Sequence, residues 1–212
     1  MFLSAIPSRS EIAGLVLAGG KSRRMGVDKC LLRLAGRPLI AHAAERLRPQ
    51  VGQLALNANG DPRRLVEFGL PVIADLANGA EGPLAGLLAG MHWARASGQP
   101  AKWIATVATD TPFFPDDLVS RLAAASADPR TVRVAASRGG VHPVFGLWPI
   151  ALAEELEAWL AAGRSWSVRD WISVNSSVTV EFDDRGAVDP FFNANTPEDL
   201  AVAHALLDKT EP

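Results

Sequence analysis

Strand-like and helix-like segments alternate through the N-terminal half of the chain, and this order limits the folds that it can adopt. Short apolar or β-branched runs typical of buried strands are separated by stretches typical of amphipathic helices. The pattern predicts strands at 12–18, 54–58, 71–74 and 103–108 and helices at 38–48 and 84–95. Because strands joined by helices pair in parallel, we expect a three-layer α/β/α fold with a mostly parallel sheet. Ligands of such sheets bind at the carboxyl ends of the strands.

The C-terminal half continues with shorter elements and shows no linker. It predicts strands at 132–137, 141–148 and 178–182, helices at 115–125, 150–162 and 167–172, and a last helix that opens at 196–199. The last helix start carries a capping pattern, with Thr196 as N-cap and Asp199 three positions later. The 212 residues contain no repeat, low-complexity tract or Pro/Ser-rich linker, so we expect one domain spanning 1–212.

Charge is distributed unevenly along the chain. The formal net charge is −2, which argues against binding nucleic acid by bulk attraction. The segment 21–37, however, holds six lysines or arginines and a single acidic residue, Asp28. A basic segment in an otherwise acidic chain indicates a local site for an anionic ligand.

The remaining composition excludes several classes of protein. The single cysteine, Cys30, allows no internal disulfide, and the four histidines are too scattered for a zinc signature. No apolar run approaches the length of a membrane span, and the N-terminus lacks the basic region of a secretory signal. We therefore expect a cytoplasmic protein with no membrane partner.

The most informative segment is the loop LAGGKSRRMGVDK at 17–29, directly after the first predicted strand. Glycines let backbone N–H groups approach phosphate oxygens closely, and lysine and arginine neutralise a polyphosphate. The loop ends like a P-loop, but that pattern requires glycine at position 15, which is Leu15, and GxGxxG is absent as well. The segment is therefore predicted to bind phosphate as a loop of neither type.

This loop resembles the nucleotidyltransferase pattern LxGGxSxRMGxxK, in particular that of the molybdenum cofactor guanylyltransferases (the MobA family). It has one glycine fewer than the MGGxDK of many family members. The further motifs that match, in chain order, are NANG at 57–60, Asp75, GPLAG at 82–86, TDTP at 109–112, HP at 142–143 and NANTPED at 193–199. The resemblance covers residues 12–207 and implies a Rossmann-like fold of the nucleotide-diphospho-sugar transferase type.

The resemblance also implies an activity, a metal and a set of site residues. The activity is transfer of GMP from GTP to the terminal phosphate of molybdopterin, with Mg²⁺ or alternatively Mn²⁺ as cofactor. The N-terminal half would bind the nucleotide and the C-terminal half the acceptor. Other proteins of cofactor synthesis and the enzymes that receive the cofactor are expected as partners. The implied residues are Lys29, Arg23 and Asp110 for catalysis; Leu17, Ala18, Gly19, Gly20, Lys21, Arg24, Lys29, Asn57, Asp75, Gly82 and Asp110 for the nucleotide; His142, Asn193 and Asn195 for the acceptor; and Asp110 for the metal.

The residues themselves leave several of these roles open. Asp110 follows a strand and suits a hard cation, but it also suits the turn that Asp-Thr-Pro favours. Gly82 with Pro83 opens a helix whose N–H groups could meet an anion, and tight packing explains the same glycine. Thr196 and Asp199 are accounted for by capping, whereas the two asparagines are not.

The expected chemistry requires no nucleophilic side chain. A phosphate monoester has a second pKa of about 6 and is mostly dianionic at neutral pH. Positioning and charge neutralisation then supply the catalysis. No Ser/His/Asp or Cys/His constellation is visible in the sequence.

Three alternatives compete with this interpretation. A cytidylyltransferase acting on the same pterin usually has LAAG in the loop, whereas Gly19 here favours guanine. A sugar-phosphate nucleotidyltransferase is typically longer and lacks the NTPED ending. A catalytically silent carrier of GTP or pterin belongs to a different class, and the presence of Lys29 and Asp110 argues against it.

Overall fold

The architecture is a twisted sheet of seven strands with helices on both faces and a separate two-stranded hairpin. The computed structural model describes residues 6–19, 29–76, 82–182 and 189–207. Its strands are β1 Ile12–Leu17, β2 Arg33–Leu34, β3 Arg37–Pro38, β4 Gln53–Asn57, β5 Val72–Ile73, β6 Trp103–Ala108, β7 Val132–Ser137, β8 Gly140–Pro149 and β9 Ser177–Glu181. Its helices are α1 Leu39–Leu47, α2 Pro83–Ala96, α3 Leu118–Ala124, α4 Ala153–Ala161, α5 Val168–Ser173 and α6 Pro197–Leu207.

The large sheet has the strand order β5-β4-β1-β6-β8-β7-β9. Strands β5, β4, β1 and β6 pair in parallel, as do β7 and β9. Only β8 runs against its neighbours β6 and β7 among these described strands. The prediction of a mostly parallel α/β sheet is confirmed.

Two large apolar cores cover the two faces of the sheet. Strand β1 shows the reason, because its side chains alternate between the faces. Ile12 and Val16 join the core that includes α1 and α3, whereas Ala13 and Leu15 join the core that includes α2 and α4. Every residue of β1 is buried, which explains why its sequence is a continuous apolar run.

The hairpin β2–β3 was not among the predicted elements, and it organises the edge of the site. Its turn uses positive φ at both central residues, 48° at Ala35 and 75° at Gly36. Leu34 is fully buried in a third, small core with Leu39, Ala194 and Ala203. The hairpin therefore ties the segment around Lys29 to the start of α6.

Several boundaries differ from the predictions for local reasons. The helix expected at 115–125 begins only at Leu118, because a turn precedes it, closed by the bond from Leu118 N to Pro115 O at 3.1 Å. The helix expected at 150–162 starts as a 3₁₀ turn, Ile150–Leu152. Within the described ranges, no helix has the length and apolar character needed to cross a bilayer.

Candidate active site

Three neighbouring strands end together at the carboxyl edge of the sheet. The register pairs Leu17 with both Asn57 of β4 and Ala108 of β6. The backbone N–H of Ala18 donates to the Asn57 carbonyl at 2.9 Å, which continues the ladder beyond β1. The loop after β1 and the motifs after β4 and β6 therefore leave the sheet side by side.

Lys29, Asp110 and Asn195 meet at this edge. Lys29 Nζ lies 2.8 Å from Asp110 Oδ2 and also donates to Asn195 Oδ1. Both charged side chains are about a quarter exposed, at 23% and 28%. The Ala194 N–H donates to the Asp110 carbonyl at 2.7 Å, so the backbones of these two segments are also joined. Three of the predicted site residues, far apart in sequence, are thus in direct contact.

The asparagine segment is fixed by bonds on both of its sides. The buried Thr111 hydroxyl donates to Asn193 Oδ1 at 2.6 Å. Asp199 Oδ2 accepts the backbone N–H groups of Asn195 and Thr196, both at 2.9 Å. The hydrogen bond from the Asn195 N–H, and after it the one from the Thr196 N–H, lower the pKa of the Asp199 carboxyl. Asp199 is therefore a charged cap that binds the backbone at the start of α6, while the side chains of Asn193 and Asn195 bind Thr111 and Lys29.

A second polar network lies at the ends of β4 and β5. Asn57, which is only 4% exposed, donates from Nδ2 to Asp75 Oδ1 at 2.9 Å and to the Ile73 carbonyl at 3.1 Å. Asn59 donates to Asp75 Oδ2 at 2.8 Å and accepts from the Asp75 N–H at 2.9 Å. Asn59 suits its Asn-Gly turn, but its side chain also positions Asp75, a role that the turn pattern does not indicate.

Helix α2 approaches this network closely. It begins at Pro83 after Gly82, whose φ of +105° favours glycine. A Cβ atom on Gly86 would lie 2.2 Å from Asn57 Oδ1. Glycine at this position is therefore required for the first turn of α2 to pack against Asn57.

His142 lies on the other side of β6, on strand β8. Pro143 lies where the register between β7 and β8 shifts, and Ala135 pairs with His142 immediately after that shift. The His142 ring stacks on Phe191 with 4.4 Å between centroids, and its Nε2 lies 2.7 Å from the Ser137 hydroxyl. Ser137 in turn donates to Asp189 Oδ2 at 2.5 Å. Neither Ser137 nor Asp189 belongs to a sequence motif that singles it out.

A small, shallow and mostly apolar cavity lies beside the end of β1. It is lined by Leu17, Pro83, Leu87, Thr106, Pro143, Val144, Trp148 and Val168. Pro83 belongs to the helix that follows the second polar network, and Pro143 follows His142. Among its lining residues, Leu17 is the one that the sequence predicted as a site residue.

Some predicted residues cannot be located in this geometry. Gly20, Lys21, Arg23 and Arg24 lie outside the described residues. The described part of the chain contains no group of three or more His, Cys, Asp or Glu side chains that could enclose a metal. Burial raises the pKa of the Cys30 thiol from 9.0 to about 11, so that this thiol is protonated at neutral pH and is a poor nucleophile.

Comparison with known proteins decides the family. Residues 14–178 match the model of the MobA-like NTP transferase domain. The molybdenum cofactor guanylyltransferase of Mesorhizobium japonicum is 50% identical over 203 residues, which span 94% of this chain and 97% of the relative. The chain belongs to the MobA-like nucleotidyltransferase family. The family resemblance seen in the loop and the later motifs is thereby confirmed.

Two solved structures of low sequence identity share the fold. Molybdopterin-guanine dinucleotide biosynthesis protein A from Archaeoglobus fulgidus superposes with a TM-score of 0.71 at 22% identity, over 93% of this chain and 100% of that one. A Mycobacterium tuberculosis protein solved in complex with manganese gives a TM-score of 0.65 at 18% identity, over 93% and 100%. The predicted nucleotide-diphospho-sugar transferase type of fold is confirmed, and the chain is a nucleotidyltransferase.

Proposed function

We propose that this MobA-like chain transfers GMP from GTP to the terminal phosphate of molybdopterin and releases pyrophosphate. The contact among Lys29, Asp110 and Asn195 is the observation that supports this most strongly. It brings a cation at the end of the phosphate loop, a carboxylate at the end of β6 and an amide of the C-terminal segment to one point. A reaction between two anionic substrates needs groups of these types where the substrates meet.

The proposed mechanism works without a general base. The acceptor phosphate, with a second pKa of about 6, is already nucleophilic at neutral pH. Its oxygen attacks the α-phosphorus of GTP, a new P–O bond forms, and the bond to the leaving pyrophosphate breaks. Lys29 binds phosphate oxygens in this step, and its contact with Asn195 holds the ammonium in position.

Asp110 fits a divalent metal that is shared with the substrate. One half-buried carboxylate cannot form an all-protein cage, but Mg²⁺ is commonly bound by one or two carboxylates together with waters and substrate phosphates. The manganese complex of the mycobacterial relative supports the use of a divalent ion. Asp110 would hold Mg²⁺, with Mn²⁺ as an alternative, and the ion would neutralise charge on the triphosphate. Lys29, whose ammonium here pairs with Asp110, would bind the phosphate oxygens.

The network of Asn57 and Asp75 suits a guanine base. Each carboxylate oxygen of Asp75 accepts one amide bond and has a second lone pair for an N–H donor of the base. The backbone of 17–19 and the start of α2 at Gly82 complete the nucleotide side of the edge. Lys21, Arg23 and Arg24 are proposed to bind the triphosphate, and Gly20 to let the loop approach it.

The acceptor is assigned to the other side of the edge, near His142, Asn193 and Asn195. In this proposal the chain is one domain, with the nucleotide in its N-terminal half and molybdopterin in its C-terminal half. It acts in the cytoplasm, where other proteins of cofactor synthesis supply the acceptor and receive the product.

The test is release of pyrophosphate by the purified protein with molybdopterin and each of the four nucleoside triphosphates, with Mg²⁺ present. We expect turnover with GTP, and a loss of at least about a hundredfold in kcat for Lys29→Ala and for Asp110→Asn. Lys102→Ala and Asp116→Asn are matched controls, because both side chains make surface ion pairs elsewhere. A preference for CTP would identify a cytidylyltransferase instead. Binding of GTP without turnover would identify a carrier.

A further inference from the structure

The Ser137 hydroxyl lies between a histidine and a carboxylate, which fixes the direction of two hydrogen bonds. Its Oγ is 2.7 Å from His142 Nε2 and 2.5 Å from Asp189 Oδ2, and Ser137 itself is buried. The Gly139 N–H, which is a donor only, points at the same hydroxyl at 3.2 Å and at Asp189 Oδ2 at 3.3 Å.

The single proton of the Ser137 hydroxyl determines the tautomer of His142. Ser137 has one proton, and a contact of 2.5 Å between its oxygen and a carboxylate oxygen requires that proton to lie between them. The hydroxyl can therefore only accept from His142, which must carry its proton on Nε2. The Nδ1 atom of neutral His142 then holds a lone pair, and none of the described residues bonds to it.

The surroundings keep this histidine neutral at physiological pH. Burial lowers the pKa of His142, an effect to which Arg169 adds, whereas Asp189 and Glu181 oppose it. The ring is held flat against Phe191, whose edge also contacts Phe145 and Phe182. The next residue, Pro143, lines the apolar cavity. His142 is thus a fixed, uncharged acceptor that is stacked on Phe191, two residues before Asn193.

We propose that Ser137 and Asp189 are positioning residues that hold His142 in its Nε2–H form, so that Nδ1 accepts a hydrogen bond from an N–H group of the acceptor substrate. This inference rests on the proposed function, and it specifies which part of the acceptor is recognised here. The group is a ring N–H or amino group of the pterin, not its phosphate, because a lone pair repels an anionic oxygen.

Asp189→Asn tests this with almost no change in shape. The Phe191 N–H donates to Asp189 Oδ1 at 2.8 Å, so the new carbonyl oxygen stays there and the NH₂ group replaces Oδ2. That NH₂ donates to the Ser137 hydroxyl, whose proton must turn to His142 Nε2. The neutral ring is then forced into the Nδ1–H form, and its acceptor becomes a donor.

The tautomer is measured from the ¹⁵N shifts of the imidazole nitrogens at pH 8, with the His142 signals assigned from a His142→Asn sample. Molybdopterin and GTP are then each varied in steady-state assays. We expect the Nε2–H form in the wild type and the Nδ1–H form in Asp189→Asn. We also expect the KM for molybdopterin to rise by about tenfold, as for one lost hydrogen bond, while the KM for GTP changes by less than about twofold.

Ser137→Ala removes the partner of Nε2 and should give a mixture of tautomers with a smaller rise in the same KM. Asp170→Asn is the matched control, because Asp170, which lies on α5, accepts a hydrogen bond from the Ser165 hydroxyl in a similar serine–aspartate pair. An Nδ1–H form in the wild type, or a changed tautomer with an unchanged KM for molybdopterin, would overturn the inference while the proposed function stands. Absence of wild-type turnover with GTP would instead overturn the proposed function, and the assignment of the pterin donor with it.

Discussion

Gly86 gives the sharpest test of the proposed nucleotide side, because one added methyl group would collide with Asn57 and Leu17, two of the predicted site residues. The Cβ of Gly86→Ala would lie 2.2 Å from Asn57 Oδ1 and 2.8 Å from Leu17 Cδ2. Carbon and oxygen normally approach to about 3.3 Å, so the Asn57 amide or the helix must move by about 1 Å. The Asn57 amide cannot move without disturbing its bonds to Asp75 and the Ile73 carbonyl.

The expected energies follow from this displacement. Overpacking costs about 1–3 kcal/mol, and the better helix propensity of alanine offsets about 1 kcal/mol of that. We therefore expect Gly86→Ala to lower the free energy of unfolding by about 0–2 kcal/mol. If Asn57 binds the base as proposed, a misplacement of its amide by about 1 Å should reduce kcat/KM for GTP by about tenfold to a hundredfold.

Gly90→Ala, one turn later on α2, is the matched control. Its Cβ would lie 2.5 Å from Leu15 Cδ2 and 2.8 Å from Ile104 Cδ1, both in the core and away from the polar network. Thermal or denaturant unfolding should therefore show similar losses for both variants. Calorimetric titration with GTP should show weaker binding only for Gly86→Ala. If the GTP affinities of the two variants agree within about twofold, Asn57 is not part of the nucleotide site.

Three further changes test the framework around the site. Thr106→Val should lower the free energy of unfolding, measured by urea titration, by about 1–3 kcal/mol, because the buried Trp148 indole N–H loses its acceptor at 2.9 Å. Thr106→Ser keeps the hydroxyl and should lower the free energy of unfolding by less. Glu11→Gln should lower the free energy of unfolding by about 1 kcal/mol near pH 7. The reason is that the Lys102 ammonium and Ser8 lower the pKa of the Glu11 carboxyl from 4.5 to about 2. That stability is present above pH 4.5 and is lost as the pH falls through about 2, so the difference between Glu11→Gln and the wild type should vanish there. Leu34→Ala should lower the free energy of unfolding by about 2–5 kcal/mol. If the small core opens separately from the sheet, activity should be lost at a lower urea concentration than the far-ultraviolet circular dichroism signal.

The parts of the fold that the sequence predicted well are those whose burial is uniform. The strands at 103–108 and 132–137 agree with β6 and β7 residue by residue, since nearly every position in them is buried and most are apolar. The hairpin β2–β3 was missed because each of its strands has only two residues. Its turn is formed by Ala35 and Gly36 at positive φ, and alanine gives no signal for that conformation.

The candidate site, too, could be predicted from the sequence only in part. Residues at or just after the ends of strands, such as Asn57 and Asp110, could be placed at one edge because parallel strands end together. The residues that hydrogen-bond to these side chains could not be predicted, because those contacts depend on how distant segments lie against each other in the fold. Ser137 and Asp189 are 52 positions apart, and neither lies in a motif. Asn59 had a sufficient explanation in its Asn-Gly turn, which hid its bonds to Asp75.

The smallest core controls the geometry of the proposed reacting centre. Lys29 precedes the hairpin, Leu34 of that hairpin packs with Ala194, and the Ala194 N–H binds the Asp110 carbonyl. Asn195, the next residue, accepts from Lys29. The two large cores fix where β1 and β6 end, but neither includes Ala194. The alignment of Lys29 with Asp110 and Asn195 therefore depends on packing between the hairpin and α6, which buries few residues and should open at a lower free energy than the sheet.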